Sequence, residues 1–392
     1  MAGGSWLKID ERKLIRIVPF GMDLIMSIFF LAAPLTAIEL GANPIELGLI
    51  GTFISSLHVL LSNVSGRLSD RVGRRILILA GPMIFVASCL LMMMANRVTT
   101  ILALAALNGL ALGLFWAPFQ AWIAELRTER GLAYDLGSFN MSWTAAHLVG
   151  PALAGFLFSL HPRLPFLLAA GIALLLMLFT RASVEERDSS PEESPKISGA
   201  EESTWRRKFL YAAWVANAAS WFIIGNARYQ FPKLARELSA GSQTIGLLIS
   251  CIGLAQFLTF FLLQRSASWH FRRLYLWGAQ LLAVTGSFLL FFGSEQVIFA
   301  LALMLFGICC GVSNYSSLYY SVSLGRGKGR SAGFHESIVG SGAFLGPILG
   351  GIAAYYAGLR APYILCVAVL LAAIAAESFL IKKKEPQDLM VS

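Results

Sequence analysis

Twelve apolar stretches constrain this chain more than any other feature. They run at about 14–39, 46–66, 76–96, 99–125, 135–160, 164–182, 207–232, 243–264, 272–293, 296–322, 330–357 and 360–381. A helix needs about 20 apolar residues to cross the roughly 30 Å hydrocarbon layer, so each run is long enough to span it. Lipid offers no partner to a backbone N–H or C=O, which leaves helices and closed barrels as spanning elements. Barrel strands would show about ten residues of strict alternation, and no run does. The fold class expected is all-α and integral to the membrane, with twelve transmembrane helices. Composition agrees: of 392 residues 57% are hydrophobic and 14% charged, against roughly 25% charged in a soluble protein.

The basic residues set the orientation. With the N-terminus inside, 25 of the 31 Lys and Arg fall on inner segments; the other six are Arg97, Arg163, Arg228, Lys233, Arg236 and Arg360. Both termini are therefore expected to be cytoplasmic, in a multi-pass protein of the cell's inner membrane. The net charge of +9 reads as this topology signal and not as a nucleic-acid surface, since no basic soluble domain carries it. The first run is too long for a signal-peptide core, and no small-residue cleavage site follows it. The five cysteines, Cys89, Cys251, Cys309, Cys310 and Cys366, all sit in apolar runs and read as small hydrophobes. The acidic Ser- and Pro-rich stretch after the sixth run reads as a flexible cytoplasmic linker. It divides the chain into a six-helix bundle at 1–182, a linker at 183–206 and a second six-helix bundle at 207–392.

The two halves repeat. In the fifth run Gly137, Gly150 and Pro151 answer Gly333, Gly346 and Pro347 of the eleventh at an offset of 196, and Gly109 and Gly113 of the fourth answer Gly307 and Gly311 of the tenth. A period near half the chain is too long for a solenoid. It suits two pseudo-symmetric bundles that handle a substrate between them near the midplane.

Between the second and third runs lies GRLSDRVGRR, residues 66–75, with four arginines and one aspartate. Arginines alone would serve as a positive-inside anchor; an aspartate would not help. The stretch resembles the signature loop of the major facilitator superfamily, G-x-L-a-D-r-x-G-r-[KR]. Gly66, Leu68, Asp70, Arg71, Gly73, Arg74 and Arg75 match it, and the twelve runs, the internal repeat and the central linker extend the resemblance over the whole chain. The resemblance implies a charge network at the inner gate that favours the outward-facing state. Glu125, at the inner end of the fourth run, is the candidate partner for Arg74, and the start of the eleventh run near Ser331 would offer Asp70 a positive helix end. In the second half the same place reads QRSASWHFRR, where Ser268 stands for Asp70, so the second latch is degenerate.

A second resemblance concerns direction. Exporters of that family carry G-x8-G-x3-G-P-x2-G-G in the fifth helix. Gly137, Gly150, Pro151 and Gly155 fit here, with Ala146 and Ala154 in place of two glycines. The eleventh run fits throughout, with Gly333, Gly342, Gly346, Pro347, Gly350 and Gly351. Small residues and a proline kink also serve plain helix packing. The family's drug exporters usually carry an arginine in the fourth helix; near Ala105 there is none.

In the fold so implied, the first, fourth, seventh and tenth runs line the cavity. Candidate lining residues are Asn108, Trp116 and Gln120 on one arc of the fourth, Asn217, Trp221 and Arg228 on one stripe of the seventh, and Asn314, Tyr315, Ser317 and Tyr320 in the polar SNYSSLYYS of the tenth. An aromatic, hydroxyl-rich cavity suits an amphipathic organic molecule. Ionisable groups inside a membrane carry a functional expectation. Asp23, about 14 Å into the first run with Ser27 one turn on, leads the proton-coupling candidates, followed by His58, His147, His335 and Glu336. Glu377, close to Lys382, reads as interfacial. No nucleotide loop, metal-ligand spacing or cofactor site is visible; GRGKGRS at 325–331 fails the phosphate-loop pattern. The expectation is a monomeric, non-enzymatic secondary transporter that exports a small organic molecule by alternating access, coupled to protons and embedded among lipids. An importer, a uniporter or a lipid flippase of the same fold remains open. So does a membrane-embedded enzyme, for which only His335–Glu336 comes close to a catalytic pair.

Overall fold

The computed structural model describes residues 11–125, 132–183, 204–324 and 328–381. These form thirteen helices: α1 (Glu11–Glu39), α2 (Pro44–Val72), α3 (Arg74–Met92), α4 (Val98–Glu125), α5 (Leu132–Leu160), α6 (Leu164–Ser183), α7 (Thr204–Tyr229), α8 (Phe231–Glu237), α9 (Ser242–Leu263), α10 (Arg273–Phe292), α11 (Gln296–Leu324), α12 (Lys328–Ala357) and α13 (Ala361–Leu380). Eleven are long and apolar enough to cross a membrane. α7 is the long helix outside that set. It carries Arg206, Arg207, Lys208 and Arg228, and it packs against α11, α12 and α13, with Asn217, Ser220 and Asn226 buried along it.

The helices form two six-membered lobes, α1–α6 and α7 with α9–α13, whose internal packing matches. In one lobe α2 packs on α4, α1 on α5 and α3 on α6; in the other α9 packs on α11, α7 on α12 and α10 on α13. The lobes meet along α5 with α9 and α2 with α12. Helices in lipid gain nothing from burying apolar side chains against each other, so close backbone approach through small residues carries the association. At the first seam Gly155 faces Gly246: a Cβ on Gly155 would lie 2.9 Å from the Gly246 Cα and 2.4 Å from the Ser242 carbonyl oxygen. At the second, Gly48 and Gly51 receive Pro347, and Gly351 receives the Pro44 carbonyl. Within the lobes, Gly150 makes room for Ser27, Gly342 for the Ala218 carbonyl and Gly350 for the Asn226 side chain.

Three expectations of the sequence are corrected. The stretch at 66–75 is helix and not loop: Gly66–Val72 form the last turns of α2, and the chain breaks at Gly73 alone. Gly73 has φ 93°, a conformation that costs glycine little and other residues more. The seventh run does not extend to 232. It turns at Gln230, because Pro232 lacks the N–H that would continue the ladder and instead opens α8. The second-half counterpart of Gly73 is a nine-residue connection, Gln264–Arg272, held on α11 by aromatic contacts: Trp269 is buried, and the Phe271 N–H donates to the Tyr320 hydroxyl at 2.7 Å. The linker expected at 183–206 begins and ends in helix, at Ser183 of α6 and from Thr204 of α7; its remainder lies outside the described residues.

Gly246→Val should overpack the α5–α9 seam and cost about 1–3 kcal/mol, read as a lower melting temperature in detergent. Gly171→Ala, where a Cβ meets nothing within 4 Å, should leave that temperature unchanged.

Candidate functional site

The seam between the lobes encloses a group of ionisable side chains drawn from three helices. Asp23 on α1 and His147 on α5 are both buried, and His147 Nε2 lies 3.4 Å from Asp23 Oδ1. Arg228 Nη2 from α7 lies 3.4 Å from His147 Nδ1 and 3.5 Å from Nε2 of the same ring. The ring stands between the carboxylate and the guanidinium, each at a distance longer than an ordinary hydrogen bond. The result is a chain carboxylate–imidazole–guanidinium that starts in one lobe and ends in the other.

Local structure aims each group. Ser27 Oγ donates to the Asp23 carbonyl at 2.6 Å and across to the Ala146 carbonyl at 3.1 Å. That bond ties α1 to α5 one turn from Asp23 and beside His147, and Gly150 leaves the space for it. The Arg228 guanidinium sits over the rings of Phe30, at 5.3 Å, and Trp221, at 5.6 Å, a favourable seat for a cation. A void of about 20 Å³ remains at this point, lined by Ser27, Phe30, Leu31, His147, Arg228 and Ile249 among others. That is room for about one water molecule, so the lobes stand closed on each other here.

The other sequence candidates fall in several places. Gln120 of α4 donates to Glu336 Oε1 of α12 at 3.0 Å, a second polar link between the lobes. His335 meets Ser317 at 2.8 Å, inside the second lobe. His58 lies on α2, apart from Asp23, and its Nε2 is buried with no hydrogen-bond partner among the described residues. Trp221 Nε1 faces Asn314 Oδ1 at 3.5 Å, and Ser220 donates to the Asn217 carbonyl at 2.8 Å. Of the residues expected to line a cavity, Arg228 lines the void. Asn108 is fully buried within the first lobe. Trp116 is covered by Phe139, with ring centres 6.0 Å apart. Tyr315 and Tyr320 pack on Trp269 in an aromatic cluster of the second lobe.

The expected gate network is described in part. Arg75 donates to the Arg181 carbonyl, which joins α3 to α6 within one lobe. Arg71 is exposed, and a Cβ on Gly66 would lie 3.9 Å from the Ala117 Cβ. The side chains of Asp70 and Glu125, and those around Ser331 and Gly333, lie outside the described ones. Glu377, expected at the interface, is instead fully buried: Gln280 Nε2 donates to its Oε1 at 2.6 Å, between α13 and α10.

Sequence reading missed a clamp on the face that bears α8. Gln230 Nε2 donates to the Pro44 carbonyl at 3.1 Å and to the Pro347 carbonyl at 3.3 Å. Lys233 Nζ donates to the Ala42 carbonyl at 2.7 Å. Arg236 stands 4.0 Å from Glu39, an exposed pair of small weight. Second-lobe side chains thus grip the turn between α1 and α2. Lys233 and Arg236 were the available signal, two of the six basic residues outside the inner segments. Toward the middle, Thr52 and Ser55 of α2 donate to the Phe344 and Ala343 carbonyls of α12, each at 3.1 Å.

Replacing Gln230 and Lys233 by Leu and Met should loosen this clamp. A cysteine at Leu31, in protein with Cys251 replaced, should then react with a maleimide at least about fivefold faster, since one net hydrogen bond is worth about 1 kcal/mol. An unchanged rate would place the closure elsewhere.

Comparison with known proteins follows the geometry. The model of the Major Facilitator Superfamily matches residues 17–227 and again 213–390. Multidrug resistance protein 1 of Bacillus subtilis (strain 168) is 29% identical over 154 residues, 38% of this chain and 40% of that protein. Quinolone resistance protein NorA of Staphylococcus aureus (strain COL) is 20% identical over 381 residues, 92% of this chain and 95% of that protein. Among solved structures, a bacterial homologue of the human lysosomal transporter Spinster, inward-facing and occupied, superposes with a TM-score of 0.72 at 15% identity, covering 94% of this chain and 96% of that one. The human organic anion transporter MFSD10 gives 0.68 at 19%, covering 95% and 100%.

Proposed function

The chain belongs to the major facilitator superfamily, and on that premise we propose that it exports small amphipathic organic molecules across the cytoplasmic membrane by alternating access, driven by protons entering the cell. It is a multi-pass membrane transporter and its relatives are not enzymes. The observation that carries the finer reading is the chain Asp23–His147–Arg228. Asp23 and His147 belong to the first lobe and Arg228 to the second, so parting the lobes takes the guanidinium from the imidazole and leaves the carboxylate without its cation. A proton on Asp23 then replaces the lost charge. The charge state of the site and the position of the lobes are linked in this way, which is what coupling requires. The names of the Bacillus and Staphylococcus relatives support drug-like cargo and outward direction. The weight of basic residues on one side supports cytoplasmic termini.

Asp70 remains our candidate for the gate on the other face, at the last turns of α2, with Arg71, Arg74 and Arg75 near it in sequence. Asp70→Asn should slow transport severely while leaving expression intact, and it should shift accessibility labelling toward the inward-facing state. Native transport rates in that variant would remove Asp70 from the gate.

The coupling test uses proteoliposomes with an imposed pH gradient and Nα-dansyl-lysine as the probe. Native protein should accumulate the probe against its gradient. Asp23→Asn should lose that accumulation. Equal accumulation by both proteins would mean that Asp23 is not the carrier. Accumulation by neither would make the protein a uniporter or one coupled to another ion.

A further inference from the structure

The charges at the lobe seam carry information about the cargo as well as about coupling. Arg228 has five N–H donors and no carboxylate within ion-pair distance among the described residues. The group it meets is a neutral imidazole, at 3.4 and 3.5 Å, both long for hydrogen bonds. A guanidinium in this setting lacks the planar acceptor that its fork fits best, a carboxylate. Asp23 lies one ring away, and the group it faces is again the imidazole, at 3.4 Å. His147 therefore fills the gap between an acid and a base that do not reach each other.

We propose that the cargo is zwitterionic: an acidic group that pairs with Arg228, a basic group that pairs with Asp23, and an apolar body between them. This rests on the proton-coupled reading above and names the substrate class of the same site. The walls suit the apolar body, with Phe30, Leu31, Ile249 and Ile252 around the void and the Trp221 ring beneath the guanidinium. The local charge also suits it. Asp23 ionised and Arg228 cationic sum to zero, so a ligand of zero net charge adds no uncompensated charge to a low-dielectric site. A simple cation leaves Arg228 facing like charge, and a simple anion leaves Asp23 facing like charge. Glu336, on α12, is held by Gln120. The basic group of the cargo and the transported proton compete for one carboxylate, Asp23, which makes the two fluxes opposite in direction. The lobes must part to admit such a molecule, because the present void holds about one water. On parting, the acid–imidazole half and the guanidinium half each expose one end of the binding site.

The test compares three derivatives of one fluorescent scaffold in proteoliposomes: Nα-dansyl-lysine, a zwitterion; its methyl ester, a cation; and its Nε-acetyl derivative, an anion. Binding is read by energy transfer from protein tryptophan to dansyl, and flux by dansyl accumulation under an imposed pH gradient. Native protein should bind and move the zwitterion in preference to both others. Arg228→Gln should weaken zwitterion binding by about tenfold or more and transfer the preference to the cation. Asp23→Asn should transfer it to the anion and remove the response to the pH gradient. A merely structural role for either residue would weaken all three probes without reordering them. If the variants fail to fold, the order of the three probes on native protein still decides. Native protein that prefers the ester, ranks the three equally or binds none of them overturns the proposal. Accumulation of the ester under the pH gradient with no preference for the zwitterion overturns this inference and leaves the export reading standing. Preference for the zwitterion without any response to the pH gradient does the reverse.

Discussion

Close approach of helices at glycine is the constraint on which the rest of this structure depends. Apolar side chains are as well solvated by lipid tails as by each other, so the lobes gain little by burying Leu or Phe at their seam. Backbones that touch at Gly155 and Gly246, and at Gly48 and Gly51 with Pro347, gain dispersion contacts over their whole length. Such a seam is narrow, and it leaves room for about one water beside His147 and Arg228. A carboxylate and a guanidinium would be ordinary surface groups on a wetter interface. Here both meet the same imidazole.

The same glycines bear on how the two motif resemblances are read. Both GP-containing segments, in α5 and α12, place their glycines where another helix, a carbonyl or a side chain passes within van der Waals distance. Packing accounts for the residue types, and it also explains why the motif recurs in both halves: α5 and α12 are the helices that cross from lobe to lobe. Export is a further property that packing alone does not imply, and it rests on the relatives and on the charge chain.

Much of the fold was legible because lipid imposes it. Twelve runs long enough to span, an internal offset of 196 and a one-sided distribution of arginine are properties of a chain, and they need no tertiary contact to be seen. The site was legible in its members and not in its connections. Asp23, His147 and Arg228 each stood out as ionisable residues in apolar runs, yet they are separated by more than eighty residues at every step, and helical periodicity carries no information across such gaps. Glu377 was misjudged for the same reason, since its partner Gln280 lies on another helix. Tyr315 and Tyr320 were drawn to the cavity by their polar neighbours, whereas Trp269 in the connection before α10 claims them. The α8 clamp was hidden by a single proline, which ended one helix and began another inside what reads as one run.

The polarity of α7 bears on how the protein is made. A segment with three basic residues at one end and Asn217, Asn226 and Arg228 further along partitions poorly into a bilayer by itself. Its main neighbours in the second lobe are α11, α12 and α13, all of which leave the ribosome after it. During synthesis α7 must therefore wait at the insertion machinery for helices not yet translated. The second lobe is thus assembled as a cooperative unit, and the first lobe, whose helices α1–α6 are each apolar enough to insert in turn, stands in the membrane as the surface on which it forms.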